Sequence, residues 1–151
     1  MALDIPLPRQ VLTHAHWTLG RSKMSKSTGN VVNPFFAIER FGIDTMRYYL
    51  AYEGGIKDDA AYENSYIIER YLKGLQGGLG NLLSRVVRGK GWNVQTAVEY
   101  GKIVKYNALA QSRHTRLRAL PIEVSSMFKD LDPGAALRHI MNTIFKVIKS
   151  Y

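Results

Sequence analysis

Residues 64–86, NSYIIERYLKGLQGGLGNLLSRV, decide the fold. Ile67, Ile68, Tyr71, Leu72, Leu75, Leu79, Leu82, Leu83 and Val86 recur at spacings of three and four, the period that lines one side of an α-helix. A long amphipathic helix starting at Asn64 therefore needs other elements to cover its apolar stripe. Gly74, Gly77, Gly78 and Gly80 interrupt it, each costing about 0.5–1 kcal/mol relative to alanine in a helix interior. The helix must kink or break there, or pack very closely on a neighbour. Gly89 to Gly91 ends the segment.

Downstream, Ala97 to Leu120 reads as a helix with a basic face (Arg113, Arg116, Arg118) that stops at Pro121, and Val124 to Leu131 as a short helix. Asp132-Pro133 caps a last helix with Leu137, Ile140, Met141, Ile144, Phe145 and Ile148 on its buried stripe. The second half is thus an all-helical bundle. Upstream, Val11 to Leu19 reads as a strand leading into a polar loop, Gly20 to Asn30. Asn33-Pro34 starts a short helix ending at Gly42, and Asp44 caps the next, with Met46, Tyr49 and Leu50 on one face before Glu53-Gly54-Gly55. The chain is expected to be mainly α.

The 151 residues hold 46% apolar and 22% charged side chains, the balance of a folded domain, and a chain of this length buries a sizeable core without staples. The absence of cysteine excludes disulfides and cysteine-ligated zinc. No apolar run approaches the roughly 20 residues that cross a bilayer, so a soluble chain without a membrane partner is expected. The net charge of +9 is unevenly placed: residues 1–75 hold nine Lys and Arg against eight Asp and Glu, and residues 76–151 twelve against four. A polyanion bound broadly would meet the second half.

Lys23-Met24-Ser25-Lys26-Ser27 places two ammonium groups and two hydroxyls between Gly20 and Gly29. Such a loop suits a polyphosphate. Lysine is a point charge that follows a moving phosphate, serine adds neutral donors, and glycine hinges allow closure. When pyrophosphate leaves, charge grows on the β and γ phosphates, so cations held there lower the barrier without a nucleophile or a base. An arbitrary K-x-S-K would be no more than a solvated surface loop.

The longer string Lys23 to Ser27 reproduces the KMSKS signature of class I aminoacyl-tRNA synthetases. Its flanks, His16-Trp17, Thr28-Gly29-Asn30, Asp44-Thr45-Met46-Arg47-Tyr48-Tyr49 and Asn81-Leu82-Leu83-Ser84-Arg85, resemble methionyl-tRNA synthetases of mitochondrial or bacterial type. The resemblance runs from about Pro6 to Tyr151 and is weakest between Lys90 and Ile122. It implies that Lys26 contacts the triphosphate of ATP, bound as its magnesium complex, and stabilises the transition state for methionyl-adenylate formation, with Lys23, Ser25 and Ser27 supporting the mobile loop. It implies that residues 1–60 end a Rossmann-type catalytic domain, as strand, KMSKS loop and stem-contact helices, and that residues 61–151 begin an incomplete anticodon-binding helical bundle. Asn81 and Arg85, four apart on one helix face, match positions that read anticodon bases of tRNA(Met).

Class I synthetases also need a HIGH motif, and His14-Ala15-His16-Trp17 is no substitute. The methionine pocket would lie mostly upstream of Met1, whose neighbours look like an internal cut, and the last bundle helix would continue beyond Tyr151. The isolated chain is expected not to activate methionine. No metal ligands are visible: Asp58-Asp59 reads as solvated or capping, and His114 and His139 stand alone. Trp92 and Tyr100 beside Lys90, Lys102 and Lys105 read as a satellite core under a basic rim, with an RNA-stacking surface as the other possibility. The flanks look more like a fungal mitochondrial enzyme than a bacterial one, which points to the matrix, or to the cytoplasm for a bacterial source. The competing reading of the whole is a non-catalytic basic RNA-binding module, either a degenerate synthetase paralogue or a ribosome-associated protein.

Overall fold

The computed structural model describes residues 6–56, 58–91, 93–103 and 108–149. They form a mostly helical structure with a small sheet. Strand β1 (Trp17–Leu19) lies between β2 (Ser22–Lys23), antiparallel to it, and β3 (Ala60–Ala61), parallel to it. The expected strand Val11 to Leu19 is shorter than its sequence suggests, because Val11 and Leu12 are exposed and only Trp17 to Leu19 find partner strands on both sides. Asp59 contributes to that pairing: its carboxylate accepts the backbone N–H of His16 at 2.8 Å.

Helix α1 (Pro34–Phe41) starts as its sequence predicts, with the Asn33 side chain accepting the Phe35 N–H at 2.9 Å and proline at the first position. In α2 (Ile43–Glu53), Gly42 rather than Asp44 occupies the cap position, and Asp44 sits in the first turn, where a carboxylate favours the positive helix end. Met46 and Tyr49 are buried as expected, whereas Leu50 is exposed.

The long helix is continuous from α3 (Asn64–Glu69) through a π-wound segment (Arg70–Gly80) into α4 (Asn81–Arg88). The glycines neither break nor end it. A Cβ on Gly74 would lie 2.6 Å from the Tyr48 hydroxyl, and one on Gly78 would lie 2.8 Å from the Met141 methyl and 3.3 Å from the Phe145 ring. These two glycines therefore let α2 and the last helix approach the helix backbone closely. At Gly77 and Gly80 a Cβ would crowd the carbonyl five residues back, Leu72 at 3.0 Å and Leu75 at 3.2 Å, so bare backbone suits the wider winding.

The helix expected over Ala97 to Leu120 is helical wherever it is described, within α5 (Val94–Ile103) and α6 (Ala108–Lys129), and residues 104–107 lie outside the described residues. Pro121 lies inside α6 and does not stop it, and the short helix expected at Val124 belongs to the same element. Proline removes one backbone donor, but α6 packs along α7 (Pro133–Lys149) on both sides of it, and that packing outweighs the local preference. Asp132 caps α7 by accepting the Ala135 N–H at 2.8 Å, and the side chains of His139 and Glu123 meet at 2.7 Å to tie α7 to α6. Met141 is buried on α7, with the rest of the apolar stripe half-buried. Trp92 and Lys105 lie outside the described residues, and Tyr100 is exposed.

Ala37, Met46, Tyr49, Tyr62 and Ile67 form the core, with Trp17, Leu19, Met24, Val32 and Phe41 packed on it. Tyr49 and Ile67 are fully buried, and the Tyr49 hydroxyl donates to the Ala61 carbonyl at 2.7 Å. At the junction of α2, the π segment and α7, Arg70 pairs with Glu53 and stacks over Tyr52 at 4.8 Å, while Arg138 donates to the Tyr52 carbonyl at 2.8 Å. Burial lowers the Arg70 pKa, yet the Glu53 carboxylate outweighs it and holds the guanidinium above its ordinary value. Among the described residues, no helix is long and apolar enough to cross a membrane.

Candidate functional site

The loop from Lys23 to Asn30 grows out of a two-residue hairpin. Gly20 and Arg21 both have positive φ (57° and 65°), as a tight turn between antiparallel β1 and β2 requires when its twist matches that of the strands. Met24 leaves the hairpin half-buried against the core, and its N–H donates to the Trp17 carbonyl at 3.2 Å. One hydrophobic side chain therefore anchors the loop while its neighbours Lys23, Lys26 and Ser27 stay exposed.

Asn30 closes the loop from the other end. Its Oδ1 accepts from the Ser25 N–H at 2.8 Å and from the Thr28 hydroxyl at 2.7 Å, and its Nδ2 donates to the Lys23 carbonyl at 3.1 Å. Lys26 to Thr28 form a 3₁₀ turn that ends at Gly29 with φ +69°, whose N–H returns to the Lys26 carbonyl at 3.3 Å. The Ser25 and Ser27 hydroxyls lie 2.7 Å apart. Lys23, Ser25, Lys26 and Ser27 are thus brought into one small exposed region, and among the described residues neither lysine has a carboxylate partner. Two unneutralised ammonium groups beside two hydroxyls on a backbone pinned by Asn30 give the loop cationic and neutral hydrogen-bond donors, the chemistry that favours an anionic ligand. Sequence reasoning found the cations and missed the clamp. The available signal was an asparagine just after Thr28-Gly29, since such side chains commonly bond nearby backbone in turns.

Asn81 and Arg85 stand apart from this loop, on α4 at the other end of the long helix from Ile67. They meet each other as their spacing predicts, with Arg85 Nε donating to Asn81 Oδ1 at 3.2 Å. Arg85 Nη1 also reaches the Ile148 carbonyl at 3.4 Å, which links α4 to the end of α7. Arg85 is exposed and Asn81 half-buried, so both present polar atoms at the surface. Among the described residues, no three His, Asp or Glu side chains come together as a metal site.

Residues 1–87 match the family described as tRNA synthetases class I (M). Over 155 aligned residues, 95% of this chain, the sequence is 47% identical to a Neurospora crassa protein named "Probable methionine--tRNA ligase, mitochondrial", and it spans 25% of that protein's length. Over 87 residues, 58% of this chain and 13% of its relative, it is 47% identical to the methionine--tRNA ligase of Bacillus subtilis. The structure superposes on Mycobacterium tuberculosis methionyl-tRNA synthetase, solved in complex with methionyl-adenylate, with a TM-score of 0.76 and 28% identity over 96% of this chain and 28% of that one. The chain thus spans about a quarter of the length of these two fuller matches. Family match, identity and superposition agree with one another, and the chain belongs to the class I methionyl-tRNA synthetase family.

Proposed function

We propose that this chain is the segment of a methionine--tRNA ligase that closes on the phosphates of ATP and carries part of the anticodon reader. The observation that carries this reading is the Lys23 to Ser27 loop, anchored by Met24, clamped by Asn30, and exposing two lysines that have no carboxylate partner among the described residues. In the reaction, the methionine carboxylate attacks the α-phosphate of ATP, the α–β bond breaks and pyrophosphate leaves, and the tRNA ribose hydroxyl then displaces AMP from the adenylate. Lys26 and Lys23 would hold the β and γ phosphates of magnesium-bound ATP as their charge grows, with Ser25 and Ser27 adding neutral donors. Residues 1–60 would end the catalytic domain and 61–151 form part of the anticodon-binding domain. The core shared by Ala37, Met46, Tyr62 and Ile67 would join the two. Asn81 and Arg85 would read unpaired anticodon bases of tRNA(Met), with an amide and a guanidinium meeting base edges. Relatives from Neurospora, Dictyostelium and Schizosaccharomyces named as mitochondrial support a place in the mitochondrial matrix.

The test is Lys26→Ala in the full-length protein, assayed by ATP–pyrophosphate exchange. The exchange rate falls by orders of magnitude while methionine affinity changes little; an unchanged rate rejects the role of Lys26. A full-length protein that binds tRNA but neither binds ATP nor supports exchange would favour the RNA-binding module instead.

A further inference from the structure

Helix α7 lays one face along α2 and the long helix: Gly134, Arg138, Met141, Phe145 and Ile148 follow one another at spacings of four, three, four and three. In its first turn, a Cβ on Gly134 would lie 3.1 Å from the Tyr52 carbonyl oxygen and 3.0 Å from Arg138 Nη1, so bare backbone leaves room for the guanidinium to meet that carbonyl. Arg138 donates to it at 2.8 Å, with its guanidinium 5.8 Å from the Tyr52 ring centre and the Asp132 carboxylate 3.8 Å away. Met141 and Phe145 pass Gly78 in the middle of the face. At the far end the Ile148 carbonyl accepts Arg85 Nη1 at 3.4 Å.

The two end contacts share one chemistry. The last carbonyls of a helix have no partner within it, and the negative helix end favours a cation. Tyr52 is the next-to-last residue of α2 and Ile148 the next-to-last of α7, and each gives its carbonyl to a guanidinium. Arg138 thus caps α2, and Arg85 caps α7. The apolar contacts between these ends hold the helices together but fix their lengthwise position weakly, because burial is non-directional, whereas a hydrogen bond depends steeply on distance and angle. The Arg85 contact is already long, so a slide of α7 by about 0.5 Å ends it. Since Arg85 Nε is bonded to Asn81, the Ile148 carbonyl is the second acceptor that sets the plane of the guanidinium.

We propose that Arg138 is a positioning residue for anticodon reading: its bond to Tyr52 sets α7 lengthwise and, through the Ile148 carbonyl, holds the Arg85 guanidinium in the plane that meets a base. The proposal rests on the anticodon role of Arg85 proposed above. Its test is a double-mutant cycle in the full-length enzyme, read as the ratio of kcat/KM for tRNA(Met) to that for a tRNA with an exchanged anticodon. Arg138→Gln lowers this ratio about tenfold, the worth of one charged hydrogen bond, with ATP–pyrophosphate exchange retained. In an Arg85→Gln background it lowers the ratio no further, because the effect passes through Arg85. Arg138→Lys keeps a cation and a donor for the carbonyl and regains at least about threefold of the loss. His139→Ala frees α7 from α6 instead and changes the ratio by less than about twofold, which separates positioning from general loosening of the helix. Should Arg138→Gln lose its cooperative thermal transition, Gly134→Ala, which crowds the same bond, takes its place in the cycle with a loss of about threefold. Additive losses in the cycle overturn the positioning role and leave the anticodon reading standing, as does an unchanged ratio for Arg138→Gln where Arg85→Gln lowers it. A ratio that Arg85→Gln leaves unchanged refutes the anticodon reading itself, and the positioning role with it.

Discussion

Replacing Gly74 by alanine sets two effects of opposite sign against each other. In an ordinary helix interior the change stabilises by about 0.5–1 kcal/mol, since alanine loses less backbone freedom than glycine on folding. Here the new methyl would lie 2.6 Å from the Tyr48 hydroxyl and 3.1 Å from two ring carbons. Tyr48 is held between the long helix and Tyr52, whose ring centroid is 5.4 Å away, so the ring must move or the helices must separate. Overpacking of this kind costs about 1–3 kcal/mol, and subtracting the helix-propensity gain of about 0.5–1 kcal/mol leaves a net loss of up to about 2.5 kcal/mol. Urea denaturation followed by circular dichroism measures it. The double variant Gly74→Ala/Tyr48→Phe isolates the cause: the hydroxyl has no hydrogen-bond partner among the described residues, so its removal costs little alone and relieves the closest contact. The double variant should recover at least about 0.5 kcal/mol of the loss, a coupling that a double-mutant cycle reads directly. If Gly74→Ala raises stability as it would in an exposed helix, the close approach of α2 to the π segment is not what glycine serves there.

Three further outcomes follow from the site and the core. Asn30→Ala removes the acceptor for Ser25 and Thr28 and the donor to Lys23, so in the full-length enzyme ATP–pyrophosphate exchange should fall at least tenfold with methionine affinity retained; an unaltered exchange rate dismisses the clamp. Burial pushes the Tyr48 and Tyr49 phenols up to about 12. The unfolded chain releases these protons near pH 10 while the folded chain keeps them, so stability falls as pH rises from about 10 to 12. Tyr49→Phe should lessen that fall, and tyrosinate absorbance showing every phenol of the folded chain ionising near pH 10 would rule it out. Arg85→Gln and Asn81→Ala should relax discrimination between the methionine anticodon and an exchanged one in aminoacylation, with ATP–pyrophosphate exchange unchanged.

Much of the structure was legible because its signals are local. The cap at Asn33, the cap at Asp132 and the three-and-four spacing from Ile67 to Val86 each involve residues within a turn or two of one another, and all recur in the fold. The cationic loop was legible for the same reason, since Lys23, Lys26 and their serines are neighbours in sequence. The Asn30 clamp was missed even though it is nearly as local. Composition shows that an asparagine is present, and only the 3₁₀ turn Lys26–Thr28, ending at Gly29 with φ +69°, folds the chain back so that Asn30 reaches the Lys23 carbonyl.

The sequence by itself determined that the chain is mainly helical, where the caps at Asn33 and Asp132 fall, and how the positive charge divides between the halves, because periodicity, capping and charge are properties of neighbouring residues. Tertiary structure decided what local preference left open or gave wrongly. Packing along α7 carries α6 through Pro121, and the meeting of α2 and α7 on Gly74 and Gly78 turns apparent helix breakers into contact points. β3 supplies β1 with the parallel partner that limits the strand to Trp17–Leu19. The meeting of Arg138 with Tyr52 and of Arg85 with Ile148 likewise exists only once α7 lies against α2 and α4. Each of these depends on segments far apart in the chain, whose contact energies exceed the fraction of a kilocalorie to few kilocalories per mole by which a single residue prefers one local conformation.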